Sequence, residues 1–148
     1  MLSWQELRDV SFAGIEVGAH TVSHPQLDIL ATAEADTEIR DSKNKLEDEL
    51  GQSVQSFAYP HGYASRTTRR LVRESGFTSA CRVGHALAST GEDLYALSRI
   101  IMTSSIGVDD LHKLLSGSVL PVAPPADRLV STGWRMARRV YRLSQALG

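Results

Sequence analysis

The sequence predicts an α/β fold in which about four parallel strands alternate with surface helices, and three observations carry that expectation. Apolar runs with strand character recur at residues 15–18, 54–59, 77–83 and 96–102, and capped amphipathic stretches occupy 32–50, 65–76 and 108–116. Strands joined by helices of this length pair in parallel through right-handed crossovers, giving a layered or barrel-like arrangement. The chain has 148 residues and is 42% hydrophobic, enough for one core and short for two.

Each element has a local cause. Ser3-Trp4-Gln5-Glu6 reads as a capping box that opens a short helix to about Val10. Gly14 breaks into Ile15-Glu16-Val17-Gly18, a strand candidate, which passes directly into His20-Thr21-Val22-Ser23-His24-Pro25. Thr32 is the expected N-cap of a helix whose apolar positions Ala35, Ile39, Leu46 and Leu50 recur at helical spacing and which Gly51 ends. Its Glu47-Asp48-Glu49 run reads as a solvated face. Val54 to Tyr59 is the next strand, Pro60-His61-Gly62 a loop, and Ser65 the cap of a helix closing at Gly76. Phe77 to Val83 and Ala96 to Met102 complete the strands. Val108 to Ser116 is another amphipathic helix, with Asp109 and Asp110 favoured at its positive end rather than as metal ligands.

Three regions follow: 1–117 as the α/β domain, 118–126 as a connector stiffened by Pro121, Pro124 and Pro125, and 127–148 as a basic amphipathic helix. That tail carries five arginines against Asp127, so it sums to +4 and leaves -5 for residues 1–126. Its apolar stripe, with Val130, Trp134 and Tyr141, is expected to cover a sheet edge or close a core while the arginines stay in water. Contact with an anionic membrane surface is the less favoured alternative. A net charge of -1 gives no reason to expect a nucleic-acid partner. The single cysteine, Cys81, excludes an internal disulfide and is expected as a small buried strand residue. With no signal-like or membrane-spanning run, the chain as given reads as soluble and cytoplasmic.

Two stretches could do chemistry. His20 and His24, four residues apart, can meet one metal ion through neutral ring nitrogens. Pro25 disfavours helix at His24, so the pair belongs in a loop at the carboxyl end of a strand, where parallel α/β folds bind ligands. Loop histidines bonded to backbone or water are the alternative. In Phe57-Ala58-Tyr59-Pro60-His61-Gly62 the chain leaves a strand through a proline and a glycine that let backbone N–H groups approach a ligand; taken alone, the stretch is better explained as a rigid strand-to-helix connection.

In this order, Gly18-Ala19-His20-Thr21-Val22-Ser23-His24-Pro25, the acidic helix ending at Leu50-Gly51, Ser56-Phe57-Ala58-Tyr59-Pro60-His61-Gly62 and Leu71-Val72-Arg73-Glu74-Ser75-Gly76-Phe77 resemble the NodB-like polysaccharide deacetylases over roughly residues 1–105. The resemblance implies a partial, distorted (β/α) barrel, a divalent metal, usually zinc, and hydrolysis of N-acetyl groups on a poly- or oligosaccharide. It makes His20 and His24 metal ligands and assigns Tyr59, Pro60 and His61 to substrate binding, their backbone lining the sugar groove.

The family's paired aspartates, in a motif resembling Thr-Phe-Asp-Asp-Gly, have no counterpart in this sequence. The family order places that strand upstream of Met1, so the chain is expected to be truncated and impaired or inactive. Ala58 stands where an arginine commonly precedes the proline turn, and neither an Asp-Trp nor a Leu-x-His motif occurs. His61 and His85 are the remaining candidates for a catalytic acid. The alternative function is a non-catalytic carbohydrate- or metal-binding module, or a subunit completed by a partner or a second copy through unpaired sheet edges.

Overall fold

The computed structural model describes residues 2–120 together with Gly133, Ala137 and Arg138. Helix α1 (Trp4–Phe12) begins with the expected reciprocal cap: the Ser3 N–H donates to the Glu6 carboxylate at 2.7 Å and the Glu6 N–H to the Ser3 hydroxyl at 3.3 Å. The helix runs two residues beyond Val10 and fully buries none of its side chains. Arg8 ties it to Glu49 at 2.9 Å.

Glu49 belongs to α2 (Thr32–Leu50), which turns Ala35, Ile39 and Ser42 inward and ends at Gly51 in the left-handed conformation (φ 66°). Thr32 is the first helical residue rather than the cap. Ala31 holds that position and offers no side-chain acceptor, so the Glu34 carboxylate takes the free Ala31 N–H at 3.2 Å. The acidic run near the helix end is also not a merely solvated face. Glu47 accepts the Val54 N–H at 2.8 Å and pairs with Lys43 at 3.0 Å, and of the three acids Asp48 alone is exposed.

Strands β1 (Ser56–Ala58) and β2 (Ser79–Cys81) pair in parallel, with Phe57 opposite Ala80. They are shorter than the predicted runs. Ile15–Gly18 and Ala96–Met102 form no strand; single parallel bridges at Ala19 to Phe57 and Leu97 to Cys81 stand in their place. Alternating apolar residues favour a strand only when one face is buried, and Ile15 is 58% exposed. The described residues thus form an open row of parallel segments in the order Ala19, β1, β2, Leu97. Helix α3 (Arg66–Glu74) links β1 to β2 and packs on α2, its Thr68 N–H capped by the Ser65 hydroxyl at 3.1 Å. Helix α4 (Val108–Leu115) has exposed Asp109 and Asp110 in its first turn.

The core lies between the sheet and α2 and α3, around Ile39, Phe57, Tyr59, Val72, Phe77 and Ala80. Phe57 meets the rings of Tyr59 and Phe77 at 5.2 Å each. Burial pushes the Tyr59 phenol up, which keeps it a donor to the Tyr95 carbonyl at 2.8 Å. Cys81 is on β2 as expected, but half-buried. No helix among the described residues is long and apolar enough to cross a membrane. Beyond Leu120 the proline connector and the predicted C-terminal helix lie outside the described residues, except for Gly133, Ala137 and Arg138, which are helical.

A second polar centre holds the segment after β2. Glu92, with a side chain 2% exposed, accepts the Ser98 hydroxyl at 2.6 Å, the Ser98 N–H at 3.1 Å, and Arg82 at 3.3 Å. Burial works to raise this carboxyl, and the bonds from Ser98 and Arg82 outweigh it, so the net shift is below the ordinary 4.5. A carboxyl lower in the folded than in the unfolded state adds stability above its unfolded value and loses it on acidification. Urea midpoints should therefore fall as pH drops below about 4.5, and Glu92→Gln should flatten that dependence; an unchanged slope would assign the acid sensitivity to other carboxylates.

Candidate functional site

The loops after Ala19 and after β1 leave neighbouring parallel segments at the same, carboxyl end of the sheet. Gly18 permits the approach, since a Cβ there would stand 2.6 Å from the Ser56 hydroxyl. The Ala19 N–H then donates to the Ser56 carbonyl and the Ala58 N–H to the Ala19 carbonyl, both at 2.9 Å. His20 is consequently pinned one residue past a sheet bond. Its Nδ1 donates to the Ala58 carbonyl at 2.6 Å, which fixes the tautomer and leaves the Nε2 lone pair free.

The His24 ring packs edge-on to His20 with centroids 4.8 Å apart, and the His61 ring centroid lies 4.8 Å from that of His24. All three imidazoles are exposed. Thr21, His24 and His61 have φ values of 65°, 60° and 56°, a conformation that costs residues with a Cβ about 1–2 kcal/mol each. Such strain persists only where surrounding structure over-determines it, and it collects at functional sites. His24, ahead of Pro25, is not helical, as expected, but its φ of 60° lies in the left-handed region rather than the extended one a following proline favours.

Two further side chains fix the first loop, Thr21 within the motif and Glu38 outside it. The Thr21 hydroxyl donates to the His20 carbonyl at 2.5 Å and accepts the His24 N–H at 3.1 Å. From α2, the Glu38 carboxylate accepts the Val22 and Ser23 N–H groups at 2.8 and 2.9 Å and the Ser23 hydroxyl at 2.5 Å. Burial raises the Glu38 carboxyl, the Ser23 and Val22 bonds lower it by more, and it sits below its usual range.

In the second loop, Tyr59 and Pro60 are buried, Tyr59 completely, and they underlie the turn. The N–H groups of Gly62 and Tyr63 are spent on the Tyr59 and Pro60 carbonyls at 2.9 and 3.4 Å, whereas the His61 N–H has no backbone partner among the described residues. Gly62 adopts φ 73°, and a Cβ on it would fall 2.3 Å from Val83.

Arg138 closes the rear of both loops. Its guanidinium bonds Asp28 at 2.7 Å and Gln26 at 3.1 Å and stacks 3.6 Å over the Tyr63 ring, which in turn stacks on His61. The Asp28 side chain is fully buried and that of Arg138 is 14% exposed. The expectation that the tail's arginines stay in water is therefore wrong for Arg138, because a buried carboxylate draws it inward.

The structure thus brings His20, His24 and His61 together and leaves His85 out of the row; its Nδ1 accepts the Ile101 N–H at 3.2 Å. The pattern of the sequence missed Glu38, Asp28 and Arg138. Glu38 adjoins the inward-facing Ile39 on α2, which is the one local hint that it does not face free solvent. An imidazole whose Nδ1 is held by a backbone carbonyl, as in His20, with a second imidazole packed against it suits a divalent ion of the zinc type. Among the described residues no group of three His, Cys, Asp or Glu able to hold a metal occurs.

Comparison with known proteins identifies the family. The family described as Polysaccharide deacetylase matches residues 2–80, just over half of the chain. The Bacillus subtilis protein YxkH, whose name describes it as a polysaccharide deacetylase, is 24% identical over 99 residues, covering 67% of this chain and 36% of its own. Among solved structures, the Streptococcus pyogenes deacetylase PplD, in complex with acetate, superposes with a TM-score of 0.73 at 26% identity, over 76% of this chain and 50% of its own. BC0361, a polysaccharide deacetylase from Bacillus cereus, gives 0.67 at 23% identity, over 77% and 36%. The chain thus spans half or less of the length of these relatives. The loops that carry His20, His24 and His61 lie inside the matched residues, and the chain belongs to the polysaccharide deacetylase family.

Proposed function

We propose that this chain carries the histidine half of a metal-dependent site for removing N-acetyl groups from a carbohydrate. The observation that carries the reading is the His20 Nδ1 bond to the Ala58 carbonyl, which presents Nε2 beside the His24 ring as a metal-ligating histidine is presented. His20 and His24 would hold the ion, and zinc suits their nitrogens. A divalent ion so held polarises an acetyl carbonyl and acidifies a water molecule. The His61 N–H, free of a backbone partner, is the donor we assign to the acetyl oxygen, and the exposed His61 ring borders the same space. Tyr59 and Pro60 shape that turn from beneath.

The sequence holds no paired aspartates near these histidines, so proton removal from the attacking water lacks its base. The barrel strand that carries such a pair in the family, and the limited length matched in the relatives, support reading the site as half of a larger one. The chain on its own should bind zinc weakly, through His20 and His24, and show no measurable deacetylation of a chitooligosaccharide. Calorimetric titration with zinc on the wild type, His20→Ala and His24→Ala checks the first point. Equal heats in all three would remove the metal assignment, and zinc-dependent turnover lost in His20→Ala would overturn the expected inactivity.

A further inference from the structure

We propose that Glu38 is a positioning residue for the histidine site, acting from α2 through the Thr21–Ser23 backbone to set where the His24 ring stands. The proposal rests on reading His20 and His24 as ligands, and its geometry is independent of any ion. Between the two histidines the chain passes through left-handed Thr21 and enters left-handed His24, neither of which is glycine. Free in solution such a loop would relax. Here two successive N–H groups, of Val22 and Ser23, converge on one oxygen of Glu38 while the Ser23 hydroxyl takes the other. Consecutive backbone N–H groups form a concavity that favours an anion, and bonds to a charged acceptor are stronger than neutral ones.

The consequences run in both directions along the loop. With Val22 and Ser23 fixed, the Thr21 hydroxyl is placed to bond both the His20 carbonyl and the His24 N–H. The His24 ring is then held edge-on to His20, whose own position the sheet has set. Because α2 packs on α3 and its Ala35 and Ile39 enter the core, the loop inherits the rigidity of the core through this one carboxylate. Glutamine would keep one acceptor oxygen but lose the charge, and alanine would lose both.

The test uses the full chain and nuclear magnetic resonance. Hydrogen exchange at the Val22 and Ser23 amides should quicken on the order of tenfold in Glu38→Gln and a hundredfold in Glu38→Ala, while amides of α3 keep their protection. The His24 imidazole resonances should shift in both variants and, to a lesser degree, in Ser23→Ala, which spares the fold if Glu38→Ala does not. Zinc affinity should fall about 10–100-fold in Glu38→Ala, as for partners that orient a metal ligand. Unmoved His24 resonances in Glu38→Gln and Ser23→Ala, despite faster Val22 and Ser23 exchange, would overturn the proposal by reducing Glu38 to a loop staple. A wild type whose imidazoles ignore zinc would end the metal reading, and the His24 resonances would still decide the role of Glu38.

Discussion

Replacing Arg138 by alanine is expected to destabilise the protein by about 3–5 kcal/mol, because it strands a buried carboxylate. Asp28 has no exposed side-chain surface, and the Arg138 guanidinium holds it at 2.7 Å while covering Tyr63. The net worth of such a pair is small; the large term is the penalty for leaving one charge behind. The double replacement Asp28→Leu with Arg138→Met should accordingly recover most of the loss. Urea unfolding of the two singles and the double closes the cycle. Additive losses in the double variant would mean that the two residues do not share an interaction, and a loss under 1 kcal/mol in Arg138→Ala would mean that Asp28 is hydrated when Arg138 leaves.

Gly62→Ala should cost about 3 kcal/mol or more, from two causes that add. The left-handed backbone at φ 73° penalises any Cβ by about 1–2 kcal/mol, and the new methyl would lie 2.3 Å from the Val83 side chain and 2.6 Å from its backbone nitrogen. A side chain alone could rotate away. The backbone contact forces β2's exit loop to shift, at about another 1–3 kcal/mol. Gly51→Ala supplies the control: it has a similar φ of 66° and nothing within 4 Å, so only the backbone term applies. Thermal melts of the two variants should therefore separate clearly. Equal losses would show that the turn yields without cost.

What could be read in advance was whatever short-range chemistry decides. The Ser3 and Ser65 caps and the Gly51 stop depend on neighbours within four residues, and all three are found where expected. The cap of α2 was misplaced by one residue because Thr32 and Ala31 compete for the position and Glu34 favours the latter. Residues 15–18 and 96–102 have strand character in the sequence but form no strand, since alternation says which face is apolar and not how many backbone partners a segment finds. The histidines and the proline turn were legible as motifs. Glu38, 15 residues from Ser23, and Arg138, 110 from Asp28, were not, because pairing over such separations leaves no local pattern. Glu47 misled for the same reason, its Val54 partner lying across the helix end.

The three left-handed residues that frame the site, Thr21, His24 and His61, also bear on how these two loops can vary. Glycine or asparagine at His24 or His61 would suit the backbone better than histidine does. Selection for stability alone would drift toward those residues, and each step would erase an imidazole. Histidine at both positions is thus a burden on folding, and on the function proposed above the two loops trade durability for chemistry.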